Sequence, residues 1–372
     1  MNQYILFIIG SFIISMICGF IFIPLIIRFC KKHKLYDIPD SRKIHKSKIP
    51  RLGGISFLPS MLVAFIIALI VFNNTSVDKQ ITISLWSCFF FISLLLIYGV
   101  GLTDDLIGLD AKTKFVVQLL AACLLPMSGL YINNMYGFMN IYEVPYWIGA
   151  PLTVFIIVFI DNAMNLIDGI DGLSSGLSLL ALSGFLVCFL RENVWVYSIL
   201  IAGLMGVLVS FLYFNLFGNA EKGQKIFMGD SGSLTIGFIL GFLLVKFSMN
   251  NTNVMPFRLD SLLLSCTLLI VPVFDVCRVI IVRMFHHKPI FDADKNHIHH
   301  KLLRAGLTQH QALITIISLS LFYIFFNIIT SRYYTFSIII IIDIVIWIVF
   351  HMVINAIIKK KGKEAFLINN KQ

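Results

Sequence analysis

Eleven apolar runs, each near the length that crosses a bilayer, divide this chain and restrict its fold more than any other feature. They occupy residues 4–27, 53–72, 81–102, 114–132, 148–161, 173–190, 194–214, 232–250, 260–282, 311–330 and 334–357. A helical span needs about 20 apolar residues, and hydrocarbon offers no water to satisfy a stray peptide group. The runs therefore predict an all-α polytopic membrane protein of about 11 transmembrane helices, a single domain over residues 1–372. The fifth run is short, which predicts a tilted or broken span. Hydrophobic residues make up 58% of the chain and charged residues 13%, with mean hydropathy +0.91. A soluble domain of this length cannot bury that much apolar surface. The first run is too long for the core of a signal peptide and no basic residue precedes it, so it reads as the first span.

The net charge of +10 does not point to nucleic acid, because the basic residues lie between spans rather than along one soluble face. An odd number of spans puts the termini on opposite sides. With the C-terminus cytoplasmic, 24 of the 29 Lys and Arg fall on cytoplasmic segments. Only Lys79, Arg191, Lys246, Arg258 and Arg332 fall on the other side. The bias predicts an outside N-terminus and a cytoplasmic C-terminus. The seven cysteines include no CxxC pair and sit mostly inside apolar runs, so they read as small buried hydrophobes.

The same topology sorts residues that did not enter it. Eight of nine histidines and 13 of 19 acids fall on the cytoplasmic side. Carboxylates at span ends are costly and imply partners or a cation. Ordinary loop charge accounts equally well for Asp110 or Glu221 alone, but not for the whole set. Adjacent Asp104 and Asp105, in GVGLTDDLIGLDAKTKF (99–115), cannot both ionise comfortably in a poorly solvated site without a cation. Lys112, Lys114 or a divalent metal would supply it; a solvated turn is the plainer account.

In FIDNAMNLIDGIDGLSSG (159–176), Asn162, Asn165, Asp168 and Asp171 recur every three residues, which on a helix makes a drifting polar stripe. Amides beside carboxylates suit sugar hydroxyls, a base edge or metal-bound water; helix-to-helix hydrogen bonding is the competing account. FNLFGNAEKGQKIFMGDSGSLTIG (214–237) ends a polar loop in Asp230 at the start of the eighth span. Asp230 can hold Mg²⁺ through oxygen, or simply cap a helix. In HHKPIFDADKNHIHHKLLRAGL (286–307), His297, His299 and His300 lack the i, i+4 pair of a helical zinc motif and lie among Lys295, Lys301 and Arg304. That surrounding favours a phosphate clamp over a metal site.

These segments, in this order, resemble the polyprenyl-phosphate N-acetylhexosamine-1-phosphate transferases, over about residues 37–312. The carriers are DIPDSRKIHKSKIPRLGG, the Asp104-Asp105 pair, NAMNLIDGIDGL, FMGDSGS and DKNHIHHKLLRAGL. The HIHH form with LLRAGLTQHQA is similar to the undecaprenyl-phosphate GlcNAc-1-phosphate transferases that initiate O-antigen and teichoic-acid-type glycans. Leu106 stands where an Arg often follows the Asp pair in that family.

The resemblance implies transfer of a sugar-1-phosphate, GlcNAc-1-phosphate first, from a UDP-sugar to undecaprenyl phosphate, with UMP released. Another UDP-HexNAc or UDP-MurNAc-pentapeptide is the alternative donor. It implies Mg²⁺, or Mn²⁺ in its place, held by Asp230 and Asp105, and a role for Asp104 as the base. Asp168 and Asp171 would flank nucleotide and metal, supported by Asn165 and Asn215. His297, His299 and His300 would neutralise the pyrophosphate, with Arg42, Lys43, His45 and Arg51 as further phosphate contacts. The setting it implies is the bacterial cytoplasmic membrane, with the active site on the cytoplasmic face, and a homodimer is compatible with it. Residues 311–372 carry no recognisable chemistry and read as membrane anchoring with a basic tail. An anion transporter, the rival class, would keep its charges near the midplane and show internal repeats, and neither is seen.

Overall fold

The structure, a computed structural model, describes residues 2–37, 48–75, 85–287, 289 and 296–369. Its helices are α1 (Asn2–His33), α2 (Phe57–Thr75), α3 (Leu85–Ile107), α4 (Ala111–Met127), α5 (Tyr146–Ile167), α6 (Leu173–Arg191) and α7 (Trp195–Leu212). They continue as α8 (Asp230–Ser248), α9 (Ser261–Leu268), α10 (Ile270–Phe285), α11 (Ile298–Arg304), α12 (Gln309–Thr330) and α13 (Phe336–Asn369). Two short antiparallel ribbons complete it: β1 (Tyr36–Asp37) with β2 (Ile49–Pro50), and β3 (Asn134–Phe138) with β4 (Ile141–Glu143).

Every expected run contains helix. Among the described residues nine helices are long and apolar enough to span a bilayer on their own. The fourth run forms α4, which has 17 residues and is capped by Asp110, whose carboxylate accepts the Thr113 N–H at 3.1 Å. The ninth is a broken span: α9 and α10 meet at 71°. Pro272 explains the break, since it has no N–H to donate to the carbonyl of Leu268, where α9 ends. The fifth run is neither short nor broken, because α5 continues through the amides. Asn162 donates to the Val158 carbonyl at 2.8 Å and to Gln118 Oε1 at 3.0 Å, so its polarity is satisfied inside the helix.

α8 is the axis of the bundle, buried from Ser231 to Ser248. Without a hydrophobic drive between helices in lipid, close packing depends on small residues. Gly237 and Gly241 supply it on α8, where the α5 backbone at Asp161 and Ile157 comes within reach of an added Cβ. On the other side α1 crosses α7 at Gly19, Gly203, Gly206 and Ser210. Ser210 donates to the Met16 carbonyl at 2.7 Å and Ser11 to that of Ile199 at 3.0 Å. The outward faces of α1, α2, α3, α12 and α13 expose rows of Ile, Leu, Phe and Val, as lipid contact requires.

Candidate active site

α3 is apolar until its last turn, where Thr103, Asp104 and Asp105 interrupt it. Asp105 turns inward and is buried. Its Oδ1 accepts the N–H of Asp230 and its Oδ2 that of Ser231, each at 2.9 Å. A helix start leaves such N–H groups without intrahelical partners, so α3 caps α8 from outside. The cap needs close approach. Gly229 has φ 75° and lies against the Arg51 carbonyl and the Asp105 carboxylate, where any side chain would collide.

The segment after β2 locks the same corner. Phe227 N–H donates to Pro50 at 2.7 Å, Gly53 N–H to Phe227 at 2.9 Å, and Gly54 N–H to Met228 at 2.7 Å. Arg51 donates through Nε and Nη2 to the Asp105 carbonyl, at 3.0 and 2.6 Å. The RLGG and FMGD motifs are thus two segments of one local structure built around Asp105.

Asp104 faces the other way. Its Oδ1 accepts the Leu109 N–H at 2.7 Å, and its Oδ2 lies 3.3 Å from Lys114 Nζ, which donates to Asp230 Oδ2 at 2.8 Å. One oxygen each from Asp104, Asp105 and Asp230 lie within 4.8 Å of one another. Among the described residues this is the one group of three acidic, Cys or His side chains gathered closely enough to hold a metal ion. Three hard oxygen donors fit Mg²⁺ or Mn²⁺, and Lys114 already places one positive charge between two of them.

A cavity of about 400 Å³ opens on this cluster. Arg51, Asn165, Asp168, Asp171, Asn215, Ser233 and His300 also line it. The expected polar stripe is only half helical: α5 ends at Ile167, Asp168 is its C-cap, and Asp171 lies in the following loop. Gly172, at φ 75°, turns the chain into α6 and donates its N–H to Asn215 Oδ1 at 2.7 Å. Asn215 Nδ2 donates to the Ile226 carbonyl at 2.9 Å, so this buried amide braces two loops at once. Asn165 donates to Ser233 Oγ at 2.8 Å, and Lys225 donates to Asp171 Oδ2 at 2.6 Å. Burial first, then the negative charges of Asp230, Asp171 and Asp105, push Asp168 up to about 7.

The three histidines separate. His300 lines the cavity, whereas His297 and His299 are buried behind it. His297 Nδ1 is 2.8 Å from Asp275 Oδ2. Asp275 Oδ1 accepts the Ile298 N–H and Arg278 Nη2, each at 2.9 Å, so this buried acid of α10 also caps α11. His299 lies against Gly169, and neither of its ring nitrogens has a hydrogen-bond partner among the described residues. Burial, then the neighbouring His300, hold its pKa down to about 3, so the ring is neutral.

Asp275 escaped the sequence reading because it stands alone in the apolar run IVPVFDVCRV. Its signal was a carboxylate at span depth with Arg278 one turn later. The C-terminal region is more than an anchor: Lys301 Nζ lies 3.3 Å from His351 Nδ1 of α13, tying the last helix to the histidine segment. Arg42, Lys43 and His45 lie outside the described residues.

Residues 86–248, which run from α3 to the end of α8, match glycosyl transferase family 4. A Bacillus subtilis (strain 168) protein named "Probable undecaprenyl-phosphate N-acetylglucosaminyl 1-phosphate transferase" is 32% identical over 324 residues, covering 85% of this chain and 83% of the relative. A decaprenyl-phosphate N-acetylglucosaminephosphotransferase of Mycobacterium tuberculosis (strain ATCC 25618 / H37Rv) is 31% identical, covering 75% and 71%. An undecaprenyl-phosphate alpha-N-acetylglucosaminyl 1-phosphate transferase of Escherichia coli (strain K12) is 28% identical, covering 81% and 79%.

Proposed function

The chain belongs to glycosyl transferase family 4, and from that premise we propose that it transfers N-acetylglucosamine 1-phosphate from UDP-N-acetylglucosamine to undecaprenyl phosphate, releasing UMP. The observation that carries the assignment to this site is the meeting of Asp104, Asp105 and Asp230 at one end of the bundle, inside a cavity with room for a phosphorylated ligand.

Phosphoryl transfer asks the protein mainly for positioning and for relief of charge. An oxygen of the lipid phosphate attacks the sugar-linked phosphorus of the donor; a new P–O bond forms, the bond to UMP breaks, and the electron pair leaves on UMP. Asp104 takes any proton still on the lipid phosphate. It suits that task better than Asp105, whose two oxygens each hold an α8 N–H. Asp230, with Asp104 and Asp105, would hold Mg²⁺ or Mn²⁺, which supplies charge neutralisation across the pyrophosphate when bound. Arg51 and His300 bring further donors to the cavity wall, and Asp168, Asp171 and Asn165, which also line it, would flank the nucleotide. The acceptor's prenyl tail stays in lipid while its phosphate reaches the ends of the spans. The basic residues on the same side would draw the anionic donor from the cytoplasm, and this charge bias supports a site on the cytoplasmic face of the inner membrane. The product begins a lipid-linked envelope glycan.

The test is product formation by detergent-purified protein with undecaprenyl phosphate, Mg²⁺ and a panel of radiolabelled UDP-sugars. Label moving to lipid from UDP-GlcNAc alone, with UMP released, is the expected result. Transfer from another UDP-sugar changes the donor and keeps the mechanism. Folded protein that transfers from none overturns the proposal.

A further inference from the structure

A second cavity, of about 320 Å³, lies beside the first and is lined by four lysines: Lys31, Lys48, Lys222 and Lys225. Three separate segments supply them. Lys31 belongs to the last turn of α1, Lys48 precedes β2, and Lys222 and Lys225 belong to the loop before α8. Glu221 is the one acid in the lining, and Tyr36, Ile49 and Pro50 give it a less polar wall.

Lys225 is engaged, donating to Asp171 at 2.6 Å. Lys31, Lys48 and Lys222 have no carboxylate partner among the described residues. The loop that carries Lys222 is formed rather than splayed. Asn219 Oδ1 accepts the N–H of Glu221 at 2.8 Å and of Lys222 at 3.1 Å, and the Asn219 carbonyl accepts Gln224 N–H at 2.9 Å. Gly223, at φ 62°, leaves the space that the Lys31 ammonium fills, where a Cβ would collide with it.

Orientation in the membrane requires lysines near span ends, but not lysines converging on one hollow. Like charges on flexible stems lower their energy by spreading into water, and convergence from three segments opposes that. A compact anion offsets the cost, and ammonium groups bind phosphate as point charges without needing a planar partner. We propose that this basin binds a phosphate group, either the headgroup phosphate of an anionic phospholipid in the leaflet where α1 ends, or free phosphate. It neighbours the catalytic cavity through Lys225, whose ammonium lies on Asp171. The proposal is independent of the transferase reaction and is tested without turnover.

The experiment is native mass spectrometry of the detergent-solubilised full chain, titrated separately with phosphatidylglycerol, phosphatidylcholine and inorganic phosphate. Lys48→Ala/Lys222→Ala removes two exposed charges that have no carboxylate partner among the described residues. It is expected to weaken the anion adduct about tenfold, within the range for two lysines facing an anionic headgroup. Lys48→Arg/Lys222→Arg retains it. A variant-sensitive adduct with phosphatidylglycerol and not phosphatidylcholine identifies a lipid headgroup, and one with inorganic phosphate alone identifies a soluble ligand. Equal adducts in wild type and the alanine variant for both anions overturn the proposal.

Discussion

At the start of α8 and at the start of α11 the chain uses the same device. A buried aspartate on a neighbouring helix accepts the N–H groups that a helix start leaves over. Asp105 of α3 does this for Asp230 and Ser231, and Asp275 of α10 for Ile298. The results differ. The first cap holds Asp230 at the cavity beside Asp104, so the capped residue itself faces the cavity. The second also holds His297, which stays buried, and the cavity receives only His300, three residues further along. Identical letters in one motif therefore divide into those that face the cavity and those that stay buried behind it.

The largest effect should come from Asp230→Asn. It keeps the side chain's size and removes the charge aimed at the cation and the reacting phosphorus. Turnover should fall by about 10³-fold, the upper end of the range for removing charge stabilisation at a reacting centre. Label transfer measures it, with circular dichroism checking that the helices persist. Activity within tenfold of wild type would remove Asp230 from the ligand set and dissolve the contrast between the two caps.

Asp104→Ala and Asp105→Ala separate the adjacent acids. Loss of Asp105 leaves two buried N–H groups of α8 unpaired, at about 1–3 kcal/mol each, so thermal stability and turnover should fall together. Loss of Asp104 should lower turnover about 10²-fold, as for loss of a general base, with much less effect on stability, because its hydrogen bond to Leu109 is only partly buried. Equal melting temperatures for the two variants would show that Asp105 is not the cap that orders α8.

At the second cap the effect should be smaller. Asp275→Asn still offers an acceptor to Ile298 but weakens the pairs with His297 and Arg278. It should cost about 1–3 kcal/mol, with turnover reduced about 10- to 100-fold as for other groups that orient a ligand-binding side chain. His300→Ala should lower kcat with the melting temperature unmoved. If His297→Ala and His300→Ala behave alike in both measurements, the division of the histidine motif fails.

The spans were legible in the sequence because lipid permits little besides an apolar helix, and the clustering of acids at one end was legible from their places at span ends. Two helix boundaries were not. The α5 amides look like a loop until Gln118 and the Val158 carbonyl are there to pair with Asn162, and the α9–α10 break depends on Pro272 acting within an unbroken apolar run. In the site, the chemistry of the Asp and His motifs could be read, but not the direction in which each side chain faces. Asp104 and Asp105 are adjacent on a helix and so point about 100° apart, and only packing against α8 decides which one caps that helix. Asp275 depends on a contact across 22 residues that no local pattern encodes.

The smallest effect separates the field of the acidic cluster from its hydrogen bonds. Asp168 has its pKa raised to about 7 by burial and by Asp230, Asp171 and Asp105. In the unfolded chain it ionises near pH 4. Between these values the unfolded state gives up its proton while the folded state keeps it, so this residue lowers wild-type stability as pH rises from about 4 to 7, with no further change above. Asp168→Asn cannot ionise. Its melting temperature relative to wild type should therefore climb by a few degrees across that window and then hold, even as its activity falls. Adding a divalent cation should shrink the difference, because positive charge among Asp104, Asp105 and Asp230 relieves the repulsion felt at Asp168. A difference that is the same at pH 5 and pH 8, with or without the cation, would mean that Lys114 and Lys225 already neutralise the cluster. Asp168 would then be held by local contacts rather than by the charges around it.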